Sequence, residues 1–257
     1  CISVVGSRNS DKYGELYAKK FSKDLANNNI AIVSGLAYGI DAEAHKGSLE
    51  SVSNYPTAAV LAHGLNHVYP TSHYQLAEKI IDRGGYLISS FPVGVKAVPQ
   101  NFLSRNRLIA GMSYGTVIIQ AAKRSGALST ANYSLEMSRE VLALPGPIDD
   151  FRYEGSNELL KKGARVVTSI EDIFEILPGN LRKNLTIKRK NKLSVDNITD
   201  PVQKEILLLL KNSKEVLISE IYCKLEGNME SSKIAQGLLE LEIIGIATKD
   251  DDRLILS

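Results

Sequence analysis

Short apolar runs recur along the first two thirds of the chain. Most are followed by small residues and then by a stretch of helical periodicity. Cys1–Val5, Ile30–Val33, Thr57–Leu61, Tyr86–Ile88, Thr116–Ile119, Val141–Leu144 and Arg165–Thr168 read as strands. Helical patterns fall between them, over about 11–28, after Asp41, and over 72–83, 127–138 and 157–163. The first has Tyr13, Tyr17, Phe21 and Leu25 at spacing four. Strands alternating with helices predict an α/β fold with a mostly parallel sheet, helices on its faces and right-handed crossovers. Ligands of such sheets bind outside the carboxyl ends of the strands.

Two glycine-bearing turns lie at such ends and are expected to share one crevice. Gly6-Ser7-Arg8 follows the first strand, and Ser34-Gly35-Leu36-Ala37-Tyr38-Gly39-Ile40-Asp41 follows the second. Neither has dinucleotide-fingerprint spacing, and no Walker lysine motif occurs. Backbone N–H groups at a helix start attract an anion, and Arg8 adds a full charge. Tight strand-to-helix turns need small residues in any case, so the glycines alone leave the matter open. A third such element, Lys123-Arg124-Ser125-Gly126-Ala127-Leu128-Ser129-Thr130, offers Ser125, Gly126 and Thr130 as donors and Lys123 as a point charge. Arg124 reads rather as a surface ion pair.

The stretch Phe102-Leu103-Ser104-Arg105-Asn106-Arg107 puts two guanidiniums, an amide and a ring within six residues. Those groups suit a phosphate with a base beside it. Topology is expected to gather Arg8, Arg105, Arg107 and Lys123 into one positive pocket, if the first strand and that at 116–119 are neighbours. Two readings of Phe102 stand: a platform for a base, or a core residue anchoring a helix.

No catalytic apparatus is legible. There is no GxSxG elbow, no cysteine with an evident histidine partner, and His63, His67 and His73 have no common zinc spacing. Only Cys1 and Cys223 are present, and neither a signal peptide nor a bilayer-length apolar run occurs, which points to a reducing, cytoplasmic setting. The chain opens inside an apolar run without Met, as a fragment of a longer protein would.

Charge divides the chain. Residues 181–194 carry six Lys+Arg and no Asp+Glu; residues 195–257 carry seven against twelve. The expected organisation is a domain over 1–178, a basic linker over 179–198 and a small domain over 199–257. In the last, helices starting at Pro201, near Ser219 and at Ser231 or Ser232 precede two strands near 245–248 and 253–256. That order predicts a winged helix.

The pieces together resemble the DNA-processing protein A (DprA/Smf) family. The matching stretches are Val5-Gly6-Ser7-Arg8, Ser34-Gly35-Leu36-Ala37-Tyr38-Gly39-Ile40-Asp41-Ala42 and Gly64-Leu65 with Tyr69-Pro70. They continue through Phe102-x-x-Arg105-Asn106-Arg107-Leu108-Ile109-Ala110-Gly111, Ser125-Gly126-Ala127-Leu128-x-Thr130-Ala131, Arg139-Glu140-Val141, Pro145-Gly146 and Gly155-Ser156-Asn157. The chain departs from the family pattern at Ser89-Ser90, Leu103 and Gln120. The resemblance implies a Rossmann-like core that binds single-stranded DNA and needs no cofactor. It implies a homodimer that protects incoming DNA and loads a RecA-type recombinase during natural transformation. DNA contacts are then expected at Gly6, Ser7, Arg8, Ser34, Gly35, Gly39, Phe102, Arg105, Asn106, Arg107, Lys123, Ser125, Gly126 and Thr130.

The rival reading is a nucleotide phosphoribohydrolase of a related Rossmann group, whose catalytic Glu position is held here by Ile119. An aliphatic side chain cannot do acid–base work, so a non-enzyme is expected. A third reading is a small-nucleotide sensor with a winged-helix output.

Overall fold

The structure is a computed structural model. It describes residues 1–52, 57–182, 185, 200–213, 215–225, 229–243, 247–250 and 252–256. The chain forms two compact units, Cys1–Thr186 and Ile187–Ser257.

The first unit is built on seven parallel strands. They are β1 (Ile2–Val5), β2 (Ile32–Ser34), β3 (Ala58–Leu61), β4 (Tyr86–Ser89), β5 (Gly115–Ile118), β6 (Glu140–Ala143) and β7 (Arg165–Val166). Their order is β4-β3-β2-β1-β5-β6-β7, so this Rossmann-like sheet has the expected α/β architecture. The chain runs outward from β1 to β4, returns to the other side of β1 as β5, and runs outward again. β1 and β5 are therefore neighbours, with Ser3 opposite Thr116 and Val5 opposite Ile118. The connections switch direction at that pair, and an open α/β sheet has its ligand crevice at such a point.

Helices α1 (Lys12–Asn27), α2 (Ile40–Leu49), α3 (Tyr74–Asp82), α4 (Pro99–Gly111), α5 (Gly126–Glu136), α6 (Glu154–Lys161) and α7 (Ile170–Phe174) cover the sheet. Strand residues alternate between its faces. Ile2 and Val4 of β1, with Val117 of β5, pack against Ala18, Phe21 and Leu25 of α1. Val5 and Ile118 turn to the other face, against Ile109 of α4 and Ala127 and Ala131 of α5. The central strands read as unbroken apolar runs because both faces are covered. Of the outer strands, β7 is exposed, and β4 is half-buried apart from the exposed Tyr86.

Helix α1 follows the spacing-four stripe, with one difference. Phe21 and Leu25 are buried, whereas Tyr13 is exposed and its ring packs on Tyr17 at 4.7 Å. Asp11 caps the helix by accepting from Gly14 N–H at 2.7 Å.

The second unit contains α9 (Pro201–Ser213), α10 (Ile218–Leu225) and α11 (Ser231–Ile243) around a core that includes Ile206, Leu210, Ile221, Ile234, Leu241 and Leu254. Its sheet has three antiparallel strands in the order β8 (Glu215–Leu217), β10 (Arg253–Leu256), β9 (Ala247–Asp250). The sequence predicts only the β9–β10 pair. β8 has three residues, among them Val216 buried and Leu217 exposed, too short for a periodicity signal. Of the basic segment read as a linker over 179–198, residues 179–182 form the short helix α8 (Gly179–Arg182), while 183–184 and 186–198 lie outside the described residues.

Candidate nucleic-acid interface

A crevice of about 600 Å³ opens at the carboxyl ends of β1 and β5. Loop residues Gly6, Ser7 and Arg8 form one side, and Arg124, Ser125 and the first α5 residue, Gly126, another. Phe102, Leu103, Arg105, Asn106 and Ile109 of α4 close it, with Tyr69 at the rim.

Hydrogen bonds set the first loop. Ser7 N–H donates to Gln120 O at 2.7 Å, tying the end of β1 to the end of β5. Ser7 O accepts from Ile40 N–H at 3.1 Å, tying it to the start of α2. Gly39 allows this approach: its φ is +69°, and a Cβ there would sit 2.4 Å from Ser7 O. So Gly39 shapes the crevice from behind and does not line it. Arg8 is exposed, with its guanidinium carbon 4.6 Å from the centre of the Phe102 ring. Phe102 is half-buried and meets Tyr69 edge-on at 5.9 Å.

Helix α4 decides which of its residues reach the crevice. Phe102, Arg105, Asn106 and Ile109 are spaced i, i+3, i+4, i+7 and share one face. Arg107 lies about 200° around the helix from Arg105. It is exposed and does not line the crevice, contrary to the expected four-cation pocket. Lys123 is exposed and outside it as well, and its neighbour Arg124 lines it instead. The positive lining is thus Arg8, Arg105 and Arg124.

Arg105 also departs from expectation. It is only 3% exposed, and its guanidinium Nη1 donates to the carbonyls of Gly35 and Val60, at the ends of β2 and β3. Nε donates to Asn106 Oδ1 at 3.2 Å. Desolvation lowers its pKa to about 10, so it keeps its charge at neutral pH. Beneath it, Gly35 has both peptide groups engaged: its N–H donates to Asp41 Oδ2 at 3.1 Å, and its carbonyl accepts from Arg105. A Cβ on Gly35 would meet Arg105 Nη1 at 2.3 Å. Gly35 N–H is therefore not an open phosphate donor. Ser34 is fully buried and donates to Val4 O at 2.7 Å. Both residues build the floor of the turn.

The start of α5 faces the crevice. Ser125 caps the helix by accepting from Ala127 N–H at 3.2 Å. Gly126 is exposed and Thr130 is buried at the back of the lining. The first N–H groups of a helix have no intrahelical acceptor, so this end favours an anion.

Two features carry no role in the sequence reading. Asp41, 6% exposed, is a carboxylate in the lining. Burial raises its pKa, while the Arg105 charge pulls the other way. An acidic residue at the start of a helix was the available signal. The second feature is a polar cluster: Tyr153 donates to Asp11 Oδ1 at 3.0 Å, and Arg152 lies 3.4 Å from Asp11 Oδ2 and 2.6 Å from Asp150 Oδ2. It ties the connection after β6 to the start of α1. Asp11 and Tyr153 are 142 residues apart, so no local pattern announces the pair.

His63 and His73 serve loops: His63 Nε2 accepts from Tyr69 N–H at 3.2 Å, and His73 Nδ1 bonds Leu36 O at 2.9 Å. Ile119 is fully buried in the core beneath α1.

The sequence profile of the DNA recombination-mediator protein A family matches residues 1–178. The chain belongs to that family. Among curated members, Protein Smf of Escherichia coli K12 is 40% identical over 244 residues, covering 95% of this chain and 64% of that protein. DNA processing protein DprA of Bacillus subtilis is 38% identical over 177 residues, covering 69% of this chain and 59% of its own. The chain thus spans less than two thirds of these family members. The crystal structure of DprA from Streptococcus pneumoniae superposes with a TM-score of 0.63 at 36% identity, over 68% of this chain and 60% of that one. DNA processing protein A from Helicobacter pylori, described for its single-stranded DNA binding mode, gives 0.62 at 28% identity, over 72% and 80%. Among the described residues, no helix is long and apolar enough to cross a membrane.

Proposed function

We propose that this chain binds single-stranded DNA and acts as a recombination mediator without chemistry of its own. The observation that carries the reading is the crevice at the β1–β5 switch point. There the Arg8 guanidinium and the Phe102 ring lie within 4.6 Å, with the start of α5 also in the lining. A cation and a helix N-terminus suit a phosphate, and an aromatic ring beside them suits a base of any sequence. Family membership and the likeness to the Helicobacter protein support the same ligand. Loading of a RecA-type recombinase onto DNA taken up in transformation, and assembly as a cytoplasmic homodimer, belong to the same proposal.

The second unit reads as a winged helix, on three helices with a β9–β10 hairpin at their end. Residues 195–257 carry seven basic and twelve acidic side chains, the wrong balance for a phosphate-facing module. We assign it contacts to protein.

Fluorescence anisotropy with labelled single- and double-stranded oligonucleotides, repeated across salt, tests the reading. Single strands are expected to bind more tightly at every sequence, with affinity falling as salt rises. Tight binding of a free mononucleotide with no affinity for oligonucleotides would instead establish a nucleotide sensor.

A further inference from the structure

Arg105 and Asn106 look at first like two ligand groups in a positive crevice. Their hydrogen bonds give them another part. Arg105 reaches across the floor to Gly35 O and Val60 O, at the carboxyl ends of β2 and β3. Its Nε donates to Asn106 Oδ1 at 3.2 Å. Asn106 Nδ2 in turn donates to Gly126 O at 3.2 Å and to Ser129 Oγ at 2.8 Å, both in the first turn of α5. Ser129 Oγ closes the link on Gly126 O at 2.6 Å. An unbroken chain of hydrogen bonds therefore runs from the ends of β2 and β3, through two adjacent residues of α4, to the start of α5.

We infer that Arg105 and Asn106 are positioning residues, a brace that fixes the α5 N-terminus relative to Phe102, and that phosphate is held by Arg8 and Arg124. This rests on the DNA-binding reading above and refines it. Three observations favour the brace over direct phosphate contact. The Arg105 guanidinium is almost wholly buried. It fills the space that a side chain on Gly35 would take. The Asp41 carboxylate, held by Gly35 N–H and Ala37 N–H, stands near enough to offset part of its charge. Both helices that present ligand groups are thereby referred to the rigid sheet. α4 carries Phe102 one turn before Arg105, and α5 carries Gly126. A lysine cannot replace the arginine, because a single ammonium on a flexible stem cannot serve acceptors that Nη1 and Nε reach from separate atoms of a rigid fork.

The test uses the full chain and a fluorescein-labelled oligothymidylate across salt, with melting curves. Arg105→Lys keeps the charge but breaks the brace. Asn106→Ala breaks it without touching any charge. Each is expected to weaken binding at least about tenfold while leaving the log–log salt slope within about 0.3 of wild type, whereas Arg8→Ala flattens it by about 0.7. An oligonucleotide carrying 2-aminopurine, quenched by a stacked ring, adds a second reading. At saturating protein the quench is expected to fall in both brace variants, because Phe102 no longer meets the base in register. A loss of stability alone would leave the bound state's quench unchanged. Wild-type affinity in Arg105→Lys, a slope flattened by a full contact in it, or a normal quench in Asn106→Ala overturns the inference. If Arg105→Lys does not fold, the Asn106→Ala affinity, slope and quench decide alone. Wild-type protein that ignores oligonucleotides overturns the DNA reading itself, a different observation from any of these, and the assigned role falls with it.

Discussion

The guanidinium of Arg8 rests over the ring of Phe102, 4.6 Å from its centre, although 94 positions in sequence separate them. The free protein thus keeps a cation where a base is proposed to stack. Binding then exchanges one π-face partner for another: the arginine fork turns to phosphate oxygens and the base takes the ring.

Arg8→Ala is accordingly expected to weaken single-strand binding at every sequence and to flatten the salt slope by about 0.7. Its melting temperature should stay near wild type, since the side chain is exposed. Unchanged affinity and slope in the same titration would remove Arg8 from the site.

Phe102→Ala is expected to cost roughly 1–3 kcal/mol of binding, the usual worth of a base–aromatic stack. Phe102 is half-buried, so its removal should lower stability by less than the roughly 3–5 kcal/mol of a core Phe truncation. Binding isotherms beside denaturant curves separate the platform from the anchor.

The crevice lining moves the second charge from Lys123 and Arg107 to Arg124. Arg124→Ala should therefore weaken binding and flatten its salt dependence more than Arg107→Ala or Lys123→Ala does. A ranking with Arg107→Ala as the most damaging of the three contradicts this placement.

Acid should destabilise the fold through His45. This side chain is fully buried, its Nδ1 lies 2.8 Å from Thr57 Oγ1, and desolvation, aided by the charges of Arg105 and His73, lowers its pKa from 6.5 to about 3. Thr57 Oγ1 donates to Ile32 O, so His45 Nδ1–H is the donor in their pair. The folded pKa is depressed, and the unfolded chain binds the proton more readily. The stability this neutral histidine permits is complete above pH 6.5 and is lost as pH falls toward 3, by up to about 1.4 kcal/mol per pH unit. Denaturant midpoints measured across that window should fall less steeply in His45→Gln. Parallel curves for the two proteins would exclude His45 as the source.

Turnover of mononucleotides should be absent, because the fully buried aliphatic Ile119 stands where the rival enzyme group has its carboxylate. Chromatography of nucleoside monophosphates incubated with the protein should find no free base beyond a no-protein control. Multiple-turnover release would return the chain to the enzyme reading.

The amino-acid order alone carries the alternation of seven apolar runs with helices, and hence the class of sheet. Each run is local, the central ones are marked by burial on both faces, and no distant residue is needed to read them. It also located the three turns and the Phe102–Arg107 stretch that border the crevice. Which side chains enter the crevice was decided by tertiary structure. Adjacent β1 and β5 set Arg8 beside the start of α5, and the rotation of α4 turned Arg105 inward and Arg107 away. Arg105 became a buried brace because Gly35 O and Val60 O, 70 and 45 positions earlier, both accept from its Nη1. Arg124 and not Lys123 reached the lining through the path of one loop. Charge alone ranks such residues equally in a sequence. Burial, helix phase and the acceptors supplied by remote strands tell them apart, and those exist only once the chain has folded.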